Sequence, residues 1–285
     1  MEQHYLTNEQ IAAFASSLVR AERTPATIEK YLRSVRAFFL YLDGQPVTKD
    51  AVVAWKEHLQ SVGGYSPSTV NASLAAINNL FTFLGWTDCR AHYLKVQRRL
   101  FRDAGQELGR EDYERLITAA RESGRERIAL VMETICATGI RVSEVRYITV
   151  EAAKEGRTTI SLKGKIRTIL LSTKLCRKLL KYAKKRNIRQ GQIFLTKKGN
   201  GLSRKFIWAE MKKLCEAAKV ARSKVFPHNL RGLFARTFYA ACRDVVRLAD
   251  VLGHSSIETT RIYLLSTAKE SARQLDRLGL LSGWA

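Results

Sequence analysis

The chain has 285 residues and a mass of 32.3 kDa, room for one large domain or two ordinary ones, each with its own buried core. Hydrophobic residues at 46% and only 4 prolines exclude a disordered chain, because enough apolar surface is available to offset the entropy of ordering. The 49 Lys and Arg against 26 Asp and Glu, a net charge of +23, point to a polyanionic partner, nucleic acid foremost. Nearly all of that excess is C-terminal, since residues 1–95 hold 9 basic and 8 acidic groups. Met1-Glu2-Gln3-His4 is no signal-peptide start and no apolar run reaches membrane-spanning length, so the chain reads as neither exported nor membrane-spanning. Cys89, Cys136, Cys176, Cys215 and Cys242 form no C-x-x-C pair and mostly fall in apolar helical patterns. Packing in a reducing cytosol is expected, without disulfides or zinc.

Helical spacing covers residues 7–19. A second helix starts at Thr24 as cap with Pro25 behind it, and Ile28, Tyr31, Leu32, Val35, Phe38, Phe39 and Leu42 form its apolar stripe. A third covers 48–60, and a fourth runs from Ser66-Pro67 through Val70, Leu74, Ile77, Leu80, Phe81 and Leu84 to a stop at Gly85. This is a four-helix bundle without a strand signal, over residues 1–95. Periodicity fades from 96 to 107 while Arg98, Arg99, Arg102 and Gly105 accumulate, which is the composition of a basic linker.

From 108 to 285 the pattern predicts a second domain, mainly α with a small antiparallel sheet. Helices are expected at 110–120 and 127–138, ended by Gly139, with a further turn or two to Ile148. Residues 158–162 and 167–171 read as a hairpin around Lys163-Gly164-Lys165-Ile166, and 192–196 as a candidate third strand. Residues 203–280 read as helices broken near Pro227, Gly253 and Ser266. Between Lys163 and Arg189 the basic residues Lys163, Lys165, Arg167, Lys174, Arg177, Lys178, Lys181, Lys184, Lys185, Arg186 and Arg189 follow without an acid, as in a face that tracks phosphates.

No phosphate loop, H-E-x-x-H, G-x-S-x-G or two-metal carboxylate cluster is present, so ATP or metal dependence has no support. Polar groups cluster instead in three helical places. Gly139 permits a sharp turn that sets Arg141 at a helix start with Glu144 one turn on; Arg141 could clamp phosphate oxygens or simply pair with Glu144. His228 and Arg231 share one helical face behind Pro227, at a helix N-terminus that favours anions. Leu252-Gly253-His254 is a stop followed by a new helix carrying Tyr263, a residue that by itself reads as core or surface.

Taken together, Ala137 to Val145, His228 to Arg231 and Leu252 to Tyr263 resemble the tyrosine recombinase (phage integrase) family in order, spacing and local wording, across the whole second domain. The N-terminal bundle looks like that family's core-binding domain. The resemblance implies site-specific DNA recombination, with Tyr263 attacking a phosphodiester to give a 3′-phosphotyrosyl bond and a free 5′-hydroxyl. It implies that Arg141, Arg231 and His254 stabilise the transition state, that Glu144 supports Arg141, and that His228 assists the nucleophile's proton. Lys163, ending the first strand, is the expected acid for the leaving 5′-oxygen, with Lys165 the fallback. Gly232 departs from the second His that many relatives have there.

Arg98, Arg99, Arg102, Lys165 and Arg167 are the expected phosphate contacts, and the helices at 24–42 and 66–84 the expected groove readers. No cofactor is implied. The implied partners are double-stranded recombination sites, a homotetramer on DNA held by exchange of the helix at 267–280 with its Ala268, Ala272, Leu275, Leu278 and Leu280 face, and DNA-bending or directionality factors. The implied setting is a prokaryotic cytoplasm, at the nucleoid when bound, and the implied role integration and excision of a mobile element. The rivals are chromosome-dimer resolution, type IB topoisomerase relaxation, and a non-catalytic DNA-binding protein of the same fold.

Overall fold

The computed structural model describes residues 3–96, 103–162, 165–265 and 268–278. The chain divides into two compact units, Met1–Arg98 and Arg99–Ala285. The division falls inside the stretch with linker composition.

In the first unit each of the four α-helices starts where its cap chemistry places it. Helix α1 (Asn8–Arg20) opens on a capping box between Thr7 and Gln10. Helices α2 (Pro25–Leu42) and α4 (Pro67–Leu84) begin with proline behind Thr24 and Ser66, whose hydroxyls accept from the N–H groups of Thr27 and Thr69. Helix α3 (Lys49–Ser61) is capped by Thr48. Their apolar stripes meet in one core that contains Phe14, Phe38, Leu74, Ile77 and Phe81.

Two asparagines on α4 do something the stripe does not announce. Asn78 gives and receives hydrogen bonds with the backbone of Ala91, and Asn71, two turns earlier, does the same with Leu94. These side chains satisfy an extended segment that has no neighbouring strand. His4, Asp88 and Cys89 lie close enough to suggest a metal site. However, the Cys89 thiol is buried, donates to the Val47 carbonyl, and is held protonated by burial and by Asp88, so the group is packing.

The second unit is built around α6 (Glu126–Thr138), which is buried on nearly every side and packs against α5 (Arg110–Glu122). Its buried threonines are satisfied within the helix, Thr134 donating to Leu130 O and Thr138 to Thr134 O. A tight 3-10 turn, Val142–Tyr147, forms between Gly139 and Ile148 in place of a regular helical turn, and leads to α7 (Val150–Glu155). Strands β1 (Arg157–Leu162) and β2 (Lys165–Leu170) pair antiparallel in the register Arg157↔Leu170 to Leu162↔Lys165.

The third strand expected at 192–196 does not form: among the described residues the sheet has two strands, and Gln192 and Leu195 make only isolated bridges to Thr149 and Gly201. Ile193 and Phe194 are apolar because they are buried in the core, without a ladder. Helix α8 (Thr173–Lys185) is amphipathic, and two of its cations are spent on carboxylates, Lys178 on Glu133 and Lys185 on Glu126, each at 2.6 Å. The face with phosphate-tracking composition is to that extent an intramolecular ion-pair surface.

The chain continues through α9 (Arg204–Lys212), α10 (Pro227–Cys242), α11 (Val245–Leu252), α12 (Ile257–Arg261) and α13 (Ala268–Asp276). α6 also packs against α10. A small satellite cluster, separate from the main core, joins Ala235 of α10, Leu248 and Leu252 of α11, and Tyr263.

Gly139 ends α6 at φ +66°, and a Cβ there would stand 2.6 Å from Cε1 of Phe234. Gly139→Ala therefore meets two penalties, roughly 1–2 kcal/mol for the left-handed backbone and roughly 1–3 kcal/mol for crowding a packed ring. A thermal melt of this variant should shift down by several degrees; a smaller shift would show that Phe234 yields, and an unchanged melt would contradict both penalties.

Candidate active site

The connections around the α6–α10 pair deliver the polar residues to one place. The turn at Gly139 and Ile140 aims Arg141 from the end of α6, and the start of α10 supplies His228 and Arg231. The stop of α11 supplies His254, and the turn after α12 supplies Tyr263. Arg141, His228, Arg231, His254 and Tyr263 line a single open cavity of about 870 Å³. Five expected residues, spread over more than a hundred positions of sequence, thus share one site.

Arg231 is only 3% exposed, and its guanidinium donates to Gly139 O, to Leu252 O at 2.7 Å and to His254 Nε2 at 2.8 Å. Burial first, then the nearby Arg141 charge, lower its pKa to about 10. Because Arg231 can only donate, His254 Nε2 is the acceptor, and the imidazole proton lies on Nδ1, donated to Thr260 Oγ1 at 2.8 Å. Desolvation and then the Arg231 and Arg141 charges push His254 down to about 4, so it is neutral at neutral pH. His228 is lowered for the same reasons, and its Nε2 stands 3.3 Å from the Tyr263 hydroxyl.

Tyr263 is 7% exposed, its ring stacked parallel to His254 with centroids 6.0 Å apart. A Cβ on Gly232 would lie 3.6 Å from that ring, so Gly232 forms the floor beneath Tyr263.

The Glu144 carboxylate, 1% exposed, receives the Arg141 backbone N–H at 2.7 Å and Arg141 Nη1 at 3.0 Å. It also receives Arg167 Nη2. The expectation that Arg167 contacts DNA is corrected here: its side chain is 12% exposed and is spent on Glu144 and on the carbonyls of Val251 and Leu252. The sequence could not reveal this, because both partners come from distant segments. Arg98, Arg99, Arg102 and Lys163 lie outside the described residues; Lys165 is placed as the strand partner of Leu162.

Arg204, Lys205 and Trp208 of α9 also line the cavity, and no motif in the sequence points to them. Two adjacent cations and a tryptophan just behind the Ser203 cap are the signal that could have found them.

Arg141, Arg167 and Arg231 against Glu144 leave an excess of two positive charges, to which Arg204 and Lys205 of the cavity wall add, next to the α10 N-terminus, which no side chain caps. Such a site suits a phosphodiester and the further negative charge that develops when it is attacked. The two neutral imidazoles carry a pH consequence: the unfolded chain binds protons near the ordinary histidine value, whereas folded His254 does so only at about 4. Stability is therefore complete at neutral pH and falls as the pH drops from about 6.5 toward 4. The thermal midpoint should be lower at pH 5 than at pH 7.5, and His254→Gln should flatten that difference; an equal difference in the variant would contradict the assignment.

Fold and site together define a helical protein of two units whose cationic centre holds a tyrosine beside a histidine. Residues 106–270 match the phage integrase family, and residues 11–88 match the phage integrase N-terminal SAM-like domain. The tyrosine recombinase XerA of Pyrococcus furiosus is 27% identical over 289 residues, 99% of this chain and 98% of its own. The tyrosine recombinase XerC of Roseiflexus castenholzii is 30% identical, with 90% and 88% covered. The fold matches that of a lambda integrase dimer bound to a COC′ core site, with a TM-score of 0.73 at 17% identity over 91% of this chain and 77% of that one. It also matches XerH site-specific recombinase bound to difH substrate, with a TM-score of 0.68 at 18% identity over 96% and 90%. The chain belongs to the phage integrase family: it is a tyrosine recombinase, a DNA breaking-and-rejoining enzyme of site-specific recombination. No described helix is long and apolar enough to cross a membrane.

Proposed function

We propose that Tyr263 is the nucleophile of a transesterification on DNA, with Arg141 and Arg231 holding the scissile phosphate. The observation that carries this reading is the Tyr263 hydroxyl at 3.3 Å from His228 Nε2, in the cavity that both arginines line. Tyr263 Oη bonds to phosphorus and the bond to the 5′-oxygen breaks. The phenolic proton passes to His228, whose lowered pKa leaves it an unprotonated acceptor. Arg141 and Arg231 neutralise the non-bridging oxygens. The departing 5′-oxygen takes its proton from the hairpin lysine, Lys163 by family resemblance, with Lys165 the fallback. His254, whose Nε2 accepts from Arg231, turns donor only on gaining a proton, which a bound phosphate promotes by offsetting the neighbouring positive charge. The phosphodiester energy stays in the phosphotyrosyl bond, so rejoining by a new 5′-hydroxyl needs no nucleotide.

Four protomers on two duplex sites would exchange strands in two successive pairs through a Holliday junction, in integration and excision of a mobile element. Leu275 and Leu278 on and just after α13 are exposed apolar groups, which supports docking of this helix on a neighbouring protomer. Lambda integrase has been seen as a tetramer bound to a Holliday junction. Deleting residues after Ser266 should abolish cooperative DNA binding and synapsis, read by gel mobility; unchanged cooperativity would contradict the exchange.

The test of function is capture of covalent adducts from fragmented source DNA, denatured in detergent and sequenced at their ends. Adducts at a few paired positions, absent from Tyr263→Phe, are expected. Scattered adducts would favour relaxation by a topoisomerase, and specific binding without adducts on a nicked substrate would favour a non-catalytic binder.

A further inference from the structure

We infer that Arg167 is a positioning residue for strand transfer, which keeps the Arg141 guanidinium available to the phosphate by sharing the Glu144 carboxylate. The inference rests on the proposed role of Arg141.

Glu144 is nearly inaccessible and sits between two guanidiniums, Arg141 and Arg167. A buried carboxylate facing Arg141 alone would form a one-to-one ion pair and quench the positive field that the cavity presents. With Arg167 as the second cation the cluster stays positive. Arg141 remains 41% exposed, with only a 3.4 Å contact from Nη2 to Gly253 O besides its Glu144 bond.

A second, independent feature is the way the fold makes room for Arg167. Gly253 stands at φ +63°, and a Cβ there would collide with the Arg167 Cδ and stand 3.0 Å from its Nη1. The turn that carries His254 thus leaves out a side chain where the Arg167 arm passes. Beyond it, Arg167 Nη1 reaches the carbonyls of Val251 and Leu252 at the end of α11, and Leu252 O also accepts from Arg231. One β2 residue therefore ties the sheet to the Arg141 turn, to the His254 turn and, through a shared carbonyl, to Arg231. The fork is turned inward: Nη1 and Nη2 meet protein acceptors, and Nε is buried without a partner.

The test compares two substrates of one site duplex recovered by adduct capture, one with the ordinary scissile phosphodiester and one with an uncharged methylphosphonate at that position. Removing the charge removes the need for Arg141. Single-turnover cleavage by Arg167→Met should fall about 10²-fold on the phosphodiester, the scale of a small misplacement of a catalytic group. On the methylphosphonate the loss should shrink to a few-fold, in parallel with Arg141→Ala, while DNA affinity stays near that of the wild type. Arg167→Lys, which keeps a charge beside Glu144 but not the fork, serves if Arg167→Met does not fold, and should show the same substrate dependence with a smaller loss. Cleavage at the wild-type rate, or an equal loss on both substrates, would overturn the inference. If Arg141→Ala itself is not relieved on the methylphosphonate, the reading of Arg141 fails and takes the inference with it.

Discussion

A Tyr263→Phe protein is expected to bind DNA as the wild type does and to form no covalent complex with it. The substitution removes one oxygen and leaves the ring stacked on His254 and packed with Leu248 and Leu252. It gives up the 3.3 Å hydrogen bond to His228, worth about 1 kcal/mol, so the fold is retained. Detergent-resistant complexes on a nicked duplex, which prevents religation, measure the effect: the account expects none with the Tyr263→Phe variant, a drop limited only by the detection floor. Binding measured by gel mobility should stay within a few-fold, because the arginines proposed to meet the phosphate are untouched.

Arg231→Ala should have the second largest effect, and it should divide differently between chemistry and stability. Arg231 is fixed by the carbonyls of Gly139 and Leu252, and it borders both His254 and Tyr263. In the proposed reaction its charge acts on negative charge that develops as Tyr263 attacks, so cleavage should fall about 10³-fold or more, in the range seen on removing oxyanion donors and arginine fingers. Leu252 O keeps Arg167 as donor while Gly139 O is left unpaired, a cost of roughly 1–3 kcal/mol set against relief from burying a charge. The prediction is a large drop in single-turnover rate, a modest change in affinity and a small change in melting temperature. A variant that cleaved within ten-fold of wild type would show that Arg231 is a structural strut only.

Much of this architecture is legible in the sequence, because the relevant signals are local. Thr24-Pro25 and Ser66-Pro67 are cap signals that act within one turn, and α2 and α4 begin at them. The stops at Gly85, Gly139 and Gly253 likewise stand where the left-handed conformation ends a helix. The polar residues at 141, 144, 228, 231, 254 and 263 are visible by order and spacing, and they converge in space.

What stays hidden depends on partners far away in the chain. Arg167 looks like any member of a basic run until Glu144 and Leu252 are seen beside it, and nothing local to it encodes that pairing. Lys178 and Lys185 likewise meet acids on α6. Ile193 and Phe194 have the apolar character of a strand, but burial alone does not build a ladder, and the backbone there finds only isolated bridges. Asn71 and Asn78 sit in a helical pattern as neutral polar residues, and only the extended segment alongside reveals them as backbone partners.

The measurement that tests the central claim most directly is identification of the DNA-linked residue. Wild-type protein trapped on a nicked site duplex, digested with trypsin and nuclease and read by tandem mass spectrometry should yield the peptide of residues 262–269 with a nucleotide joined through phosphate to Tyr263. A link at another residue, such as Tyr239, or a trapped complex with no modified peptide, would contradict the account.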